Sequence, residues 1–113
     1  MNNPKYQIFK GKNDKFYFRL YAQNGQQILA SQGYAAKSGC KNGIESVRKN
    51  CSNNDAYEFK EAKNGKFYFN LIAANKQVIA ASQMYASNQS AKSGREAVQR
   101  VGVEAGVEDI TAG

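Results

Sequence analysis

Lys15-Phe16-Tyr17-Phe18 occurs a second time, 51 residues later, as Lys66-Phe67-Tyr68-Phe69. The match extends without a gap from Tyr6–Lys49 to Tyr57–Arg100, and 21 of its 44 aligned pairs are identical. Self-similarity of this length at one fixed spacing indicates an internal duplication, in which each copy forms the same supersecondary unit. The duplication therefore predicts the architecture before any single element is considered.

Each copy by itself would make a very small domain. A unit of about 50 residues is near the lower limit for a domain without disulfides or metals. We therefore expect residues 1–113 to form one domain with a shared core. Its repeats are predicted at residues 5–55 and 56–111, and Ala112-Gly113 are expected to be frayed.

The composition disfavours several classes of function. No long apolar stretch and no signal-peptide pattern occurs, so the cytoplasm is the expected location. The chain has no His, which removes the commonest general base and metal ligand. Because no nucleophile–base pair or metal-ligand cluster is recognisable, the sequence predicts neither an enzyme nor a cofactor site.

The net charge of +7 lies entirely in the first copy. Residues 1–51 carry nine Lys and Arg against two acidic residues, whereas residues 52–113 carry seven of each sign. An acidic partner is therefore expected to meet the first repeat, unless this charge only keeps the protein soluble. The basic side chains concerned are Lys10, Lys12, Lys15, Arg19, Lys37, Lys41, Arg48 and Lys49.

Three strands are predicted at the start of each copy. Alternate positions are apolar in residues 16–22 and again in residues 67–73, which is typical of a half-buried strand. Shorter apolar pairs mark the first and third strands: Tyr6 with Ile8, Tyr57 with Phe59, Ile28 with Ala30, and Ile79 with Ala81. The turns between them contain Asn13-Asp14, Asn24-Gly25, Asn64-Gly65 and Asn75-Lys76. Asn and Gly tolerate the positive φ that tight hairpins need.

A helix is predicted after the third strand of each copy, because the apolar spacing changes to the helical period. Its buried stripe is Cys40, Ile44, Val47 and Cys51 in the first copy, and Ala91, Gly94, Val98 and Val101 or Gly102 in the second. Arg95 stands where the first copy has Ile44, so either the helix rotates a little or the arginine stem lies along the sheet with its charged head in water. The candidate N-caps are Ser38 in the first copy and Ser87 or Ser90 in the second.

Two further features follow from the helices. Cys40 and Cys51 lie roughly 16 Å apart along a helix, so they are predicted to be buried, unpaired thiols rather than a disulfide. An extended segment is expected after each helix, because residues 107–110 lie 51 positions after residues 56–59.

Several segments together form a pattern found in one known family. They are Ala22-Gln23-Asn24-Gly25, Ile28, residues 30–34, residues 41–47, residues 64–71 and residues 82–86. With these segments, the chain resembles the YegP-like family of small bacterial proteins of unknown function. The resemblance covers both copies and implies an α+β fold of two tandem β3-α-β repeats. It implies a single antiparallel sheet with both helices on one face, a pseudo-twofold axis and exchanged C-terminal strands. It implies no activity, cofactor or catalytic residue.

The sheet face opposite the helices is the first candidate binding surface. If Phe16, Phe18 and Leu20 face the core, the alternate side chains face away, with Phe9, Leu29 and Ile72 nearby. The candidate residues are Lys12, Lys15, Tyr17, Arg19, Tyr21, Tyr68 and Asn70. Aromatic and basic side chains on a sheet can stack bases and hold phosphates, can bind a protein or a second copy, or can simply be exposed strand residues.

The junction between the third strand and the helix is the second candidate. Its residues are Ser31, Gln32, Tyr34 and Lys41, and in the second copy Ser82, Gln83, Tyr85 and Lys92. These groups could hold a small anion near a helix N-terminus. The alternative is that Ser and Gln bond the loop backbone while Tyr packs over the core.

Together these observations predict a non-catalytic binding or interaction module whose partner is unknown. The alternative is a nucleic-acid-binding protein that uses the basic first repeat and the aromatic sheet face.

Overall fold

The structure, a computed structural model, describes residues 4–111. The predicted fraying of Ala112-Gly113 falls outside these residues. The strands are β1 (Lys5–Lys10), β2 (Phe16–Tyr21), β3 (Gln27–Ser31), β4 (Tyr57–Glu61), β5 (Phe67–Ile72), β6 (Val78–Ala81) and β7 (Gly106–Asp109). The helices are α1 (Lys37–Asn50) and α2 (Asn88–Val101), and a short 3-10 turn at Asn54–Ala56 precedes β4. The duplicated order of three strands and a helix, with a strand after each helix, is confirmed.

The seven strands form one sheet in the order β4-β5-β6-β3-β2-β1-β7. The two repeats meet at the centre, where β3 and β6 pair antiparallel with Ala30 opposite Ala81. The expected purely antiparallel sheet is wrong, because β7 runs parallel to β1, from Lys5 opposite Gly106 to Ile8 opposite Asp109. β1 and β7 are not consecutive in the chain, so no tight hairpin, which would require antiparallel pairing, joins them.

The two edges of the sheet are formed differently. β7 follows the helix of the second repeat but pairs with β1 of the first repeat. The corresponding segment after α1 becomes β4, which pairs with β5 of its own repeat. Within residues 4–111, β4 has no partner on its other side.

The four predicted turns use the same local chemistry. Positive φ occurs at Asp14, Gly25, Gly65 and Lys76, the second residue of each Asn-containing pair. In each turn the Asn side chain accepts a hydrogen bond from the backbone N–H two residues later, at 3.0 to 3.1 Å. The side chain thereby imitates a backbone turn and fixes where each strand ends.

The core lies between the helices and one face of the sheet. Both predicted helical stripes are buried, and the fully buried strand side chains include Phe18, Leu20, Phe69 and Leu71. Each repeat also bonds the helix of the other. The Tyr6 hydroxyl donates to the Gly102 carbonyl at 2.6 Å, and the Tyr57 hydroxyl donates to the Cys51 carbonyl at 2.7 Å. Because these bonds cross between repeats, the copies share one core.

The helix starts differ from the prediction in the first repeat. Ser87 caps α2 by accepting a hydrogen bond from the Ser90 backbone N–H at 3.1 Å, as predicted. Ser38 does not cap α1, because the helix begins at Lys37 and its N-cap is Ala36, which makes no side-chain bond. Ser38 therefore lies inside the first turn, beyond the position from which a side chain can cap.

Arg95 lies along the sheet, as in the second predicted arrangement, but its Nε atom is buried rather than in water. Its guanidinium carbon lies 5.6 Å from the centre of the Phe59 ring of β4, and the side chain is half-buried. The stem thus covers the sheet where the first repeat has Ile44.

Candidate binding surface on the open sheet face

The predicted alternation places the candidate side chains of β2 and β5 on the face that the helices leave open. Phe18 and Leu20 are fully buried, and Tyr17, Arg19 and Tyr21 alternate with them at intermediate exposure. Tyr68 and Asn70 occupy the same positions in β5. β3 and β6 separate β2 from β5, so the predicted residues form two groups rather than one.

The first-repeat group is an ordered stack. The Phe9 and Tyr17 rings are stacked, with centres 5.6 Å apart and planes 17° apart. The Arg19 guanidinium lies 4.2 Å from the centre of the Phe9 ring on β1. The Asn13 amide donates a hydrogen bond of 2.9 Å to the Tyr17 hydroxyl. We call Phe9, Tyr17 and Arg19 the aromatic–arginine stack.

Lysines border this stack. An open groove of about 510 Å³ is lined by Lys12 together with the residues of the stack. Lys15 lies beside Tyr17, because Lys15 Cδ and the Tyr17 hydroxyl lie 2.9 and 3.0 Å from the position that a β-carbon of Gly33 would take. Lys12 and Lys15 are both exposed. The structure therefore brings together four of the predicted residues. Phe9, which was predicted only to lie near this surface, is in contact with two of them.

The second repeat cannot form the same stack. Under the 51-residue shift, Lys60 replaces Phe9 and Asn70 replaces Arg19. Lys60 instead forms an ion pair of 3.3 Å with Glu58. Met84 replaces Gly33 and is 48% exposed. The open face is thus chemically different in the two repeats although their backbones correspond.

One residue expected on the open face lies in the core. Leu29 is fully buried, because it pairs with Leu20 and shares the face of that residue. The register of β2 and β3 shifts between Leu20 and Tyr21, which reverses the side-chain orientation expected from simple alternation.

The basic surface of the first repeat is partly neutralised by β7. Lys37 pairs with Asp109 at 2.9 Å, and Lys5 pairs with Glu108 at 3.0 Å. Hydrogen bonds from Thr111 and Lys37 lower the pKa of Asp109, and hydrogen bonds from Gln7 and Lys5 lower that of Glu108. The second repeat therefore supplies carboxylates to the first through tertiary structure.

Arg48 is also engaged inside the protein. It pairs with Glu45 at 2.7 Å and donates to the Ala105 carbonyl at 2.6 Å. Of the predicted partner-facing cations, Lys37 and Arg48 are thus already bound to groups of the chain itself.

The second candidate, the strand–helix junction, uses its hydroxyls within the fold. Ser31 accepts a hydrogen bond from the Phe18 N–H at 2.9 Å and donates to the Gln32 carbonyl at 2.8 Å. Ser82 makes the equivalent bonds, to the Phe69 N–H and the Gln83 carbonyl. These bonds hold the third strand of each repeat where its ladder ends.

The other junction side chains are placed as follows. The Gln32 amide donates across the repeat boundary to the Val78 carbonyl at 3.2 Å. The Tyr34 ring stacks on Phe18 and the Tyr85 ring on Phe69, with centres 6.5 and 6.4 Å apart. Lys41 and Lys92 are exposed on the helices. Partial burial raises the pKa of the Tyr34 and Tyr85 hydroxyls.

Each junction tyrosine requires a helix glycine. A β-carbon at Gly43 would collide with the Tyr34 hydroxyl, and one at Gly94 would collide with the Tyr85 hydroxyl. The identity of these positions in both copies thus follows from the close approach of ring and helix.

Both cysteines are buried and unpaired, as predicted. Burial raises the pKa of the Cys40 thiol to about 11 and also raises that of Cys51. Such thiols carry little reactive thiolate at neutral pH.

Among residues 4–111, no cluster of three or more His, Cys, Asp or Glu is placed to hold a metal ion. Nor does that part of the chain contain a helix with the length and apolarity needed to span a membrane.

Comparison with known proteins identifies a set of close relatives. The family profile described as "Domain of unknown function (DUF1508)" matches twice, over residues 12–58 and 62–109. A UPF0339 protein of Pseudomonas aeruginosa is 48% identical over 105 residues, covering 93% of this chain and 96% of that protein.

Two solution NMR structures have the same fold. The protein of unknown function yegP from E. coli matches with a TM-score of 0.91 and 43% identity, over 97% of this chain and 95% of that one. A UPF0339 protein from Shewanella oneidensis matches with a TM-score of 0.89 and 44% identity, over 95% and 91%.

Proposed function

Because the chain belongs to the DUF1508 family, also called UPF0339 or YegP-like, whose function is unknown, we propose a function from its own surface. The protein is a non-catalytic binding module, and its first repeat binds a partner through the aromatic–arginine stack. The observation that carries this proposal is the contact of Arg19 with Phe9, at 4.2 Å on a sheet face that the helices do not cover.

The composition of the stack suits an interface better than a solvated strand. Tyr and Arg are enriched among the residues that dominate binding energy at protein interfaces, and aromatic rings bury large areas at a small cost in conformational entropy. The hydrogen bond from Asn13 to Tyr17 and the stacking of Tyr17 on Phe9 already restrict these side chains. A restricted surface loses less entropy when a partner binds.

The copy-specific chemistry supports the same assignment. Lys60 and Asn70 take the places of Phe9 and Arg19 in the second repeat, although β4 pairs with β5 in the same register as β1 with β2. A purely structural need of the strand would apply to both copies.

Nucleic acid is the alternative partner, and the positions of Lys12 and Lys15 favour it. Lys12 lines the same groove as Tyr17, and the Lys15 side chain passes over Gly33 next to the Tyr17 hydroxyl. A base could therefore stack on the ring while the lysines contact phosphates. The loss of Lys37 and Arg48 to internal partners reduces the charge available for this mode.

A pull-down from native lysate, with and without nuclease, distinguishes the two partner classes. We expect a nuclease-resistant partner whose capture falls at least about tenfold with Tyr17→Ala, since interface aromatics commonly contribute more than 1.4 kcal/mol. Tyr68→Ala removes the corresponding tyrosine of the second repeat and is the matched control. Equal loss with both variants, or with neither, would contradict the first-repeat site.

Direct titration tests the alternative. A labelled single-stranded DNA or RNA should bind less tightly as salt is raised, and should lose binding with Lys12→Glu and Lys15→Glu. Retention of the natural partner that is insensitive to salt and to these reversals would exclude nucleic acid.

A further inference from the structure

The outer edge of β4 has no partner strand, whereas the equivalent edge in the first repeat is paired. Under the 51-residue shift, β4 corresponds to β1, whose outer side carries β7. There the Ile110 N–H donates to the Ile8 carbonyl at 3.0 Å. Phe59 corresponds to Ile8, so its backbone polar groups point outward from the sheet. Within residues 4–111, no strand receives them.

β7 of another copy does not suit this edge. In the first repeat, Glu108 lies opposite Gln7 and accepts a hydrogen bond from it at 2.9 Å. The equivalent of Gln7 in β4 is Glu58. A β7 strand placed on β4 in the same register would therefore bring two carboxylates together, which destabilises the pairing.

The β4 strand is instead complementary to itself. Glu58 and Lys60 flank Phe59 and lie on the open face, with side chains 49% and 44% exposed. If two β4 strands pair antiparallel about an axis through Phe59, each Glu58 lies opposite Lys60 of the partner subunit. Unlike charges directly opposite each other stabilise an antiparallel pair.

We propose that two copies of this chain associate through antiparallel pairing of their β4 strands, centred on Phe59. The Phe59 N–H and C=O of each copy bond those of the other, and the two sheets join into one. Such strand addition supplies the main-chain hydrogen bonds that an exposed edge lacks.

The helix side of β4 supports this arrangement. The Nε atom of Arg95 is buried beside Phe59 and has no hydrogen-bond partner among the described residues. Glu61 lies on the same side of the strand as Phe59, and the pairing places Glu61 of the partner subunit opposite Tyr57. A carboxylate therefore reaches the side of the sheet that Arg95 covers. In the first repeat, where β7 closes the edge, the corresponding residue is the apolar Ile44.

Sedimentation equilibrium over a concentration series tests the proposal. The native protein should dimerise, and Glu58→Lys or Lys60→Glu should each weaken dimerisation at least about tenfold, because both symmetric pairs become repulsive. An equimolar mixture of the two variants should form a heterodimer, since one strand is then doubly positive and the other doubly negative. The double variant Glu58→Lys/Lys60→Glu should dimerise like the native protein.

Lys63→Glu is the matched control, because it makes the same charge change as Lys60→Glu on an exposed residue just beyond β4. Glu61→Pro gives a second test that does not depend on charge. It removes an outward N–H and should also weaken the dimer. A native protein that stays monomeric at millimolar concentration would overturn the proposal, as would a dimer that is unaffected by both reversals or a mixture that does not pair.

Discussion

At the scale of single residues, two glycines with open surroundings differ in backbone conformation. Gly65 adopts a φ of +80°, and nothing lies within 4 Å of the position its β-carbon would take. Gly106 is equally open but lacks a positive φ. The two glycines therefore separate the effect of backbone conformation from that of packing.

Gly65→Ala is expected to lower the free energy of unfolding by about 1 to 2 kcal/mol, because Ala is strained in the left-handed region. Gly106→Ala should leave it unchanged or raise it by about 0.5 kcal/mol, since Ala restricts the unfolded chain. Urea unfolding of both variants measures the difference. Equal effects would show that the turn conformation contributes nothing.

At the scale of elements, two buried tyrosines join strands to helices across the repeat boundary. Tyr6 of β1 bonds the carbonyl that ends α2, and Tyr57 of β4 bonds the carbonyl that ends α1. Burial raises the pKa of both hydroxyls. The neutral phenols therefore stabilise the fold below pH 10, their ordinary pKa, and this contribution is lost as the pH rises above it.

Tyr6→Phe or Tyr57→Phe should each lower the free energy of unfolding at neutral pH by about 1 to 3 kcal/mol, because a buried carbonyl loses its donor. The decline in stability above pH 10 should become shallower in both variants. Denaturant unfolding at several pH values provides the measurement. Tyr68→Phe, which removes a hydroxyl from the open face, is the control, and an equal effect there would contradict the assignment.

At the scale of the whole molecule, β7 redistributes charge between the repeats. The sequence assigns the entire net charge of +7 to the first repeat. In the structure, however, Glu108 and Asp109 of the second repeat lie against the first repeat and pair with its lysines. Their lowered pKa values mean that this contribution is present above about pH 4.5 and is lost as the pH falls below it.

Asp109→Asn should therefore reduce the acid sensitivity of β7. In the native protein, backbone amides of β1 and β7 should exchange faster as the pH falls below about 4.5, after correction for intrinsic rates. The variant should show weaker protection at neutral pH and a smaller change on acidification. Glu96→Gln neutralises an exposed carboxylate on α2 and should change neither quantity.

Much of the fold could be predicted from the residues alone, because periodicity and turn chemistry act locally. The 51-residue repeat predicted the strands, helices, positive-φ turns and buried stripes, and the Phe18 and Leu20 alternation predicted which face of β2 is open. Errors arose where pairing between strands changed the side-chain orientation that the local spacing predicts. Leu29 was misplaced because a register shift reverses the alternation in β3.

The sequence by itself determined the duplication, the type of each strand and helix, and the face of β2 to which Tyr17 and Arg19 belong. Only the tertiary structure decided that β7 pairs in parallel with β1, that Arg19 lies on Phe9, and that Lys37 and Arg48 are occupied. These features depend on which elements become neighbours, and residues far apart in the chain leave no local pattern that records their contact. The candidate site is therefore a property of the assembled sheet rather than of either repeat.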